Sequence, residues 1–152
     1  MKKFVSCLGI VALLYACNKT PVKQDAVTEP SVAEEPVAES DVAGSYIYEQ
    51  NGDTVNLHLT VNGETATGHL TYALKEKDRN TGTFEGKIQN GVLLADYTFN
   101  SEGRSSVREV AFRLDGTSAV EGYGDVEEKN GKTVFKDASR LEFGKGLVLT
   151  KQ

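Results

Sequence analysis

Four Asn-Gly pairs constrain this chain more than any other feature: Asn51-Gly52, Asn62-Gly63, Asn90-Gly91 and Asn130-Gly131. Each is flanked by residues that alternate apolar and polar. Asn-Gly suits the two positive-φ positions of a type I′ turn, whose twist matches that of the strands it joins. Four such turns at intervals predict an antiparallel meander. They all fall in Gly44 to Gln152, a stretch of 109 residues that is long enough for one small domain. It has no proline and no cysteine, so disulfides, thiolate metal sites and cysteine nucleophiles are excluded from it. Fourteen glycines punctuate it.

Two hairpins can be read residue by residue. A two-residue turn at Asn62-Gly63 makes Val61 face Glu64. Val55, Leu57, Leu59 and Val61 then share a face with Ala66, Gly68, Leu70 and Tyr72, and Asn56, His58, Thr60, Thr67, His69 and Thr71 share the other. A turn at Asn90-Gly91 makes Phe84 face Tyr97, Gly86 face Ala95 and Ile88 face Leu93, with Thr83, Glu85, Lys87, Leu94, Asp96 and Thr98 pointing away. The apolar face alternates bulky with small side chains, as the taper of a closed barrel requires. Further strands are expected at 106–114, at 119–128 paired with 132–136, and at 147–150, with a short helical turn near 137–141. Eight to nine strands with a one-sided core must curl, because an open sheet leaves a naked face and two unpaired edges. The expected class is all-β: an up-and-down meander closing into a small barrel, with a two-sheet sandwich as second choice.

The N-terminus is of another kind. Met1-Lys2-Lys3 precedes a 13-residue apolar run, Phe4 to Ala16, which ends at Cys17. A positive start, a short apolar stretch and a small residue before the cut make an export signal, whereas a membrane span needs about 20 residues. Leu14-Tyr15-Ala16-Cys17 resembles the lipobox of bacterial lipoproteins, with Tyr15 at a place where the family usually has a small residue. The resemblance covers about an eighth of the chain. It implies cleavage before Cys17, thioether-linked diacylglycerol on Cys17 and a lipid bilayer as partner. Cys7 leaves with the leader. Asn18 follows the cysteine, where Asp would retain a Gram-negative lipoprotein in the inner membrane. The resemblance therefore implies the outer membrane, facing the periplasm. The domain in turn resembles the lipocalin-like barrels of many bacterial lipoproteins. Gly44-Ser45-Tyr46 loosely echoes the G-x-W opening of that superfamily, in a chain with no tryptophan.

From Asn18 to Ala43 the composition shifts. All three prolines lie here, with six acids against Lys19 and Lys23, and valine returns every five residues at Val27, Val32, Val37 and Val42. That period makes neither a helix stripe nor a strand face, and the apolar surface is too small to offset the entropy of ordering. An acidic, self-repelling, disordered tether is expected, spanning roughly 28 Å if flexible and at most about 80 Å as polyproline. The expected organisation is a signal peptide at 1–16, the lipidated cysteine and tether at 17–43, and the barrel at 44–152.

Candidate chemistry within the domain is sparse. Alternation through Val110, Phe112 and Leu114 puts Arg108 on the inward face near the start of its strand. There a guanidinium at a barrel mouth would take a carboxylate or phosphate through two parallel hydrogen bonds. Tyr72 and Tyr97, also inward, would line such a cavity. His58 and His69 lie on the polar face. In the register above His58 faces Thr67 and Asn56 faces His69, so the imidazoles are diagonal neighbours roughly 7 Å apart. Two histidines without a third ligand are a poor metal site, and exposed strand histidines are expected, with no metal and no cofactor. Glu121, Asp125, Glu127 and Glu128 read as a solvated face paired in part with Lys132 and Lys136. The glycines around Tyr123 lack the following helix that a nucleotide loop needs. No sequence pattern places a histidine base beside a serine. Thirteen bases against sixteen acids give the domain a charge of −3, which disfavours nucleic acid. The expectation is a non-enzymatic envelope lipoprotein that holds a small apolar or amphipathic ligand inside the barrel. The alternative is an interaction or structural module with a filled core.

Overall fold

The computed structural model of the chain describes residues 39–152. The expected export signal, Cys17 and the expected tether up to residue 38 lie outside the described residues. The described part is all-β. Six strands form a meander: β1 (Gly44–Gln50), β2 (Asp53–Asn62), β3 (Thr65–Ala73), β4 (Asn80–Gln89), β5 (Val92–Ser101) and β6 (Arg104–Leu114). β7 (Ser118–Glu121) turns back on β6, and β10 (Val148–Lys151) lies between β7 and β1. Pairing of β5 with β6 closes these eight strands into an antiparallel barrel. The remaining hairpin, β8 (Val126–Lys129) with β9 (Lys132–Phe135), leaves the meander and attaches to β6 through a parallel contact, Arg108 with Thr133. That attachment is available because β7 pairs only with Phe112–Leu114 and leaves the earlier part of β6 unpaired on that edge.

The turn chemistry is largely as the Asn-Gly pairs predict. Asn51-Gly52, Asn90-Gly91 and Asn130-Gly131 have both residues at positive φ, the type I′ signature. The β2–β3 hairpin differs. Asn62 pairs with Thr65, so the turn is Gly63-Glu64 rather than Asn62-Gly63. Gly63 is at φ 60° and Glu64 is not at positive φ, which fits a type II′ turn with glycine first. The register moves by two residues. Because the strand period is two, every side chain keeps its predicted face, while every cross-strand partner changes. His58 is therefore directly opposite His69, not diagonal to it.

The core is one cluster built from the inward alternation. It includes Val55, Leu57 and Leu59 of β2, Leu70 and Tyr72 of β3, Leu93, Ala95 and Tyr97 of β5, and Val110, Phe112 and Leu114 of β6. The small residues on this face do not leave room. A Cβ on Gly68 would meet the His58 carbonyl oxygen and the Phe84 ring, and one on Gly86 would meet the Ala95 Cβ and the backbone of β5. The sheet coils so tightly at these points that neighbouring strands and rings occupy the space a side chain would take. At one end the core is capped by α1 (Glu39–Val42), a single helical turn. Val42 is 3% exposed, and its carbonyl accepts a hydrogen bond from the buried Tyr46 hydroxyl. Val42, the last valine of the five-residue repeat, thus packs into the core.

The expected single strand at 119–128 is broken. β7 stops at Glu121, and the chain runs through Gly122-Tyr123-Gly124 before β8 begins. Gly122 lies against the Phe143 ring so closely that a Cβ would clash, and Tyr123 makes an isolated bridge with Glu142. A 3-10 turn, Ala138–Arg140, is capped by Asp137, whose carboxylate accepts from the Ser139 amide and hydroxyl.

Candidate functional site

The barrel end formed by the β1–β2 turn, the β3–β4 loop and the β5–β6 turn gathers the inward polar groups. Arg108 pairs with Tyr97 across β6 and β5, so both point inward on neighbouring strands. Its guanidinium carbon lies 5.0 Å from the Tyr72 ring centroid, 5.7 Å from that of Tyr97 and 5.6 Å from that of Phe99. Tyr97 stacks on Phe99 at 5.0 Å, and Tyr72 is tilted against Tyr97 at 6.1 Å. A cation over aromatic faces is attracted by their quadrupoles, more strongly where water is partly excluded. The three residues singled out from the sequence, Arg108, Tyr72 and Tyr97, are therefore in mutual contact, with Phe99 as a fourth member.

Glu121 shares this end of the barrel. It is 7% exposed, so its place in a solvated acidic face is corrected: Asp125, Glu127 and Glu128 are exposed, and Glu121 points in. Each of its oxygens has a donor. Tyr72 donates to Oε1 at 2.6 Å and Tyr123 to Oε2 at 2.8 Å. A buried carboxylate is tolerated when its lone pairs are taken in this way. The expected pairing of Lys132 with this acidic run is also replaced: Lys132 reaches outward to Asp96 at 2.6 Å, and Thr133 donates to Glu128. Burial, then the charge and hydrogen bond of Glu121, hold the Tyr72 phenol well above its usual range. Burial pushes Tyr97 up to about 12 against the opposing pull of Arg108. Burial and Glu121 also raise Tyr123. These hydroxyls remain protonated donors throughout the neutral range. The Tyr97 hydroxyl donates a hydrogen bond to the Leu70 carbonyl at 2.8 Å.

Arg108 is the member left incomplete. Its Nε is buried without a hydrogen-bond partner, and among the described residues it forms no ion pair. A guanidinium has five donors in a fixed fork, and the Nε edge matches a carboxylate or phosphate in a bidentate way. Chemically, this end of the barrel can offer one fork of donors bordered by aromatic faces.

Open concavities lie on the outer face among the described residues. One, of about 940 Å3, is lined by His58, His69, Thr67, Thr83, Glu85 and Thr98 among others. Another, of about 620 Å3, lies where Leu94 and Ala95 meet Lys132, Ala138 and Leu141. On the first face His58 Nδ1 is 3.0 Å from Ser45 Oγ. The expectation that no sequence pattern sets a histidine beside a serine is corrected here: a two-residue loop at Asn51-Gly52 makes Ser45 face His58, as observed. A nucleophilic serine also needs its base oriented by a third group and donors for an oxyanion. His58 sits in the wall of an open groove, and among the described residues no such third group hydrogen-bonds it. Among the described residues no group of three His, Cys, Asp or Glu side chains converges on one point. Comparison of the chain with protein-family models, with curated proteins and with solved structures finds no match in any of the three.

Proposed function

We propose that this chain is a non-enzymatic, lipid-anchored protein of the bacterial cell envelope whose barrel holds a small amphipathic anion at the Arg108 end. The observation that carries the reading is the buried, unpartnered Nε of Arg108 against three aromatic rings. An unmade hydrogen bond on a buried charged group costs more than a made one contributes, so a ligand oxygen at Nε has a large effect there. A carboxylate would take Nε–H and one terminal N–H in parallel, and the rings would flank its apolar tail. The packed interior, with Gly68 and Gly86 closed over by their neighbours, favours this end of the barrel over its centre. The lipobox Leu14-Tyr15-Ala16-Cys17 supports the anchor, and Asn18 supports the outer membrane with the domain facing the periplasm.

Native mass spectrometry of the full chain released from detergent tests the ligand. The probes are a long-chain fatty acid and its methyl ester. The acid is expected to form a one-to-one adduct that the ester does not, and Arg108→Met is expected to lose it while Arg108→Lys keeps a weaker one. An adduct unchanged in Arg108→Met would overturn the reading. The second reading is an envelope interaction module, favoured by the 940 Å3 groove whose wall includes Glu85 and Thr98. A chain that takes up neither probe sinks the first reading and leaves this one.

A further inference from the structure

We propose that His58 and His69 bind a divalent transition-metal ion on the outer face of the barrel. The placement rests on the β2–β3 register and is independent of the Arg108 end. His58 and His69 are direct partners, so their β-carbons stand about 5 Å apart on one face of the sheet. Both are exposed and both line the larger outer groove. From that spacing two imidazoles can lean together onto one ion at the usual metal–nitrogen distance of about 2.0–2.1 Å.

The row across the strands orients the pair. Ser45, His58, His69 and Thr83 are successive partners from β1 to β4. Ser45 Oγ lies 3.0 Å from His58 Nδ1. With the proton on Nδ1, His58 donates to Ser45 and its Nε2 lone pair is left for the metal. A hydrogen bond on the far ring nitrogen is the usual way a metal-binding histidine is fixed in tautomer and orientation. Ser45 is thus a positioning residue. The donor set is imidazole nitrogen with water in the remaining positions, since no third His, Cys, Asp or Glu of the described residues joins it. Nitrogen donors of this kind select Cu2+, Zn2+ or Ni2+ over Mg2+ and Ca2+, with Cu2+ bound most tightly.

The test is titration of the untagged full chain in detergent with Cu2+, followed by calorimetry and electron paramagnetic resonance. Wild-type chain is expected to bind one ion with nitrogen hyperfine structure from two imidazoles, and Mg2+ is expected to give no heat. Ser45→Ala is expected to weaken binding by about 10-fold, within the range for lost outer-shell partners, and His58→Ala or His69→Ala by more. Both histidines are exposed, so circular dichroism of these variants is expected to match wild type. Cu2+ affinity unchanged in His58→Ala and His69→Ala, or a spectrum without two imidazole nitrogens in the wild-type chain, would overturn the proposal.

Discussion

Gly82 lies between Leu70 and Phe99 on the inward face, at the end of the barrel that holds Arg108. A Cβ there would fall 1.9 Å from the Thr98 carbonyl oxygen and 2.6 Å from the Phe99 Cα. Backbone cannot move aside as a side chain can, so β5 would have to shift and carry the Phe99 and Tyr97 rings with it. Gly82→Ala is expected to cost about 1–3 kcal/mol, as over-filling of packed cores does. A denaturation midpoint equal to that of wild type would show that β5 accommodates the added methyl without cost. At this scale the sequence was legible where partners are local. Arg108 could be placed inward because Val110, Phe112 and Leu114 set the phase of its own strand. Glu121 could not, because its partner Tyr72 is 49 positions away and no local pattern announces that a carboxylate will be covered. Ser45 opposite His58 was within reach from the Asn51-Gly52 turn, since the pairing follows from counting outward.

At the scale of elements, turn residues carry the fold, and the β6–β7 turn shows how. Asp115 accepts hydrogen bonds from the Thr117 amide at 2.9 Å and the Thr117 and Ser118 hydroxyls at 3.0 and 2.7 Å, and also from the Ser118 amide. Gly116 between them is at φ 85°, which fits its lack of a Cβ. Burial works to raise the Asp115 carboxyl, but the bonds from Ser118 and Thr117 outweigh it and hold it at about 2. A carboxylate with a depressed folded value stabilises the fold above its unfolded value and ceases to do so as it is protonated. Asp115→Ala is expected to lose about 1 kcal/mol at neutral pH, kept small by solvent screening. The gap between variant and wild type should close as pH falls from 3.8 toward 2, and urea titrations across that window would show it. A gap that persists at the acid end would mean that the ionised carboxylate is not the stabilising species. Other turns were less legible. Glu102-Gly103 joins β5 to β6 with both residues at positive φ, and glutamate is not a residue that advertises this conformation. At Asn62-Gly63 the dipeptide marked the turn to within one residue, and glycine alone took the positive φ. That one-residue displacement is what set His58 against His69.

The whole molecule was legible as a closed barrel because closure is what a one-sided, many-stranded meander requires. The β8–β9 hairpin was not placed, since its attachment depends on how much of β6 the short β7 leaves unpaired. Among the described residues the core cluster is built from the barrel strands together with Val42. The expected anchor and the barrel can be tested separately. Cys17 is the last cysteine of the sequence, and only a thiol can form the thioether that the lipobox resemblance implies. A single acyl chain holds a protein marginally and several hold it firmly, at about 0.8 kcal/mol per buried methylene. Cys17→Ser is expected to abolish labelling by a clickable fatty acid and to move the protein from the membrane fraction to the soluble one. Its thermal melt is expected to match that of wild type, because the barrel strands supply the core described. Labelling that persists in Cys17→Ser would show that acylation occurs elsewhere. A melt that shifts with the loss of the lipid would mean that the leader or tether contributes to the fold.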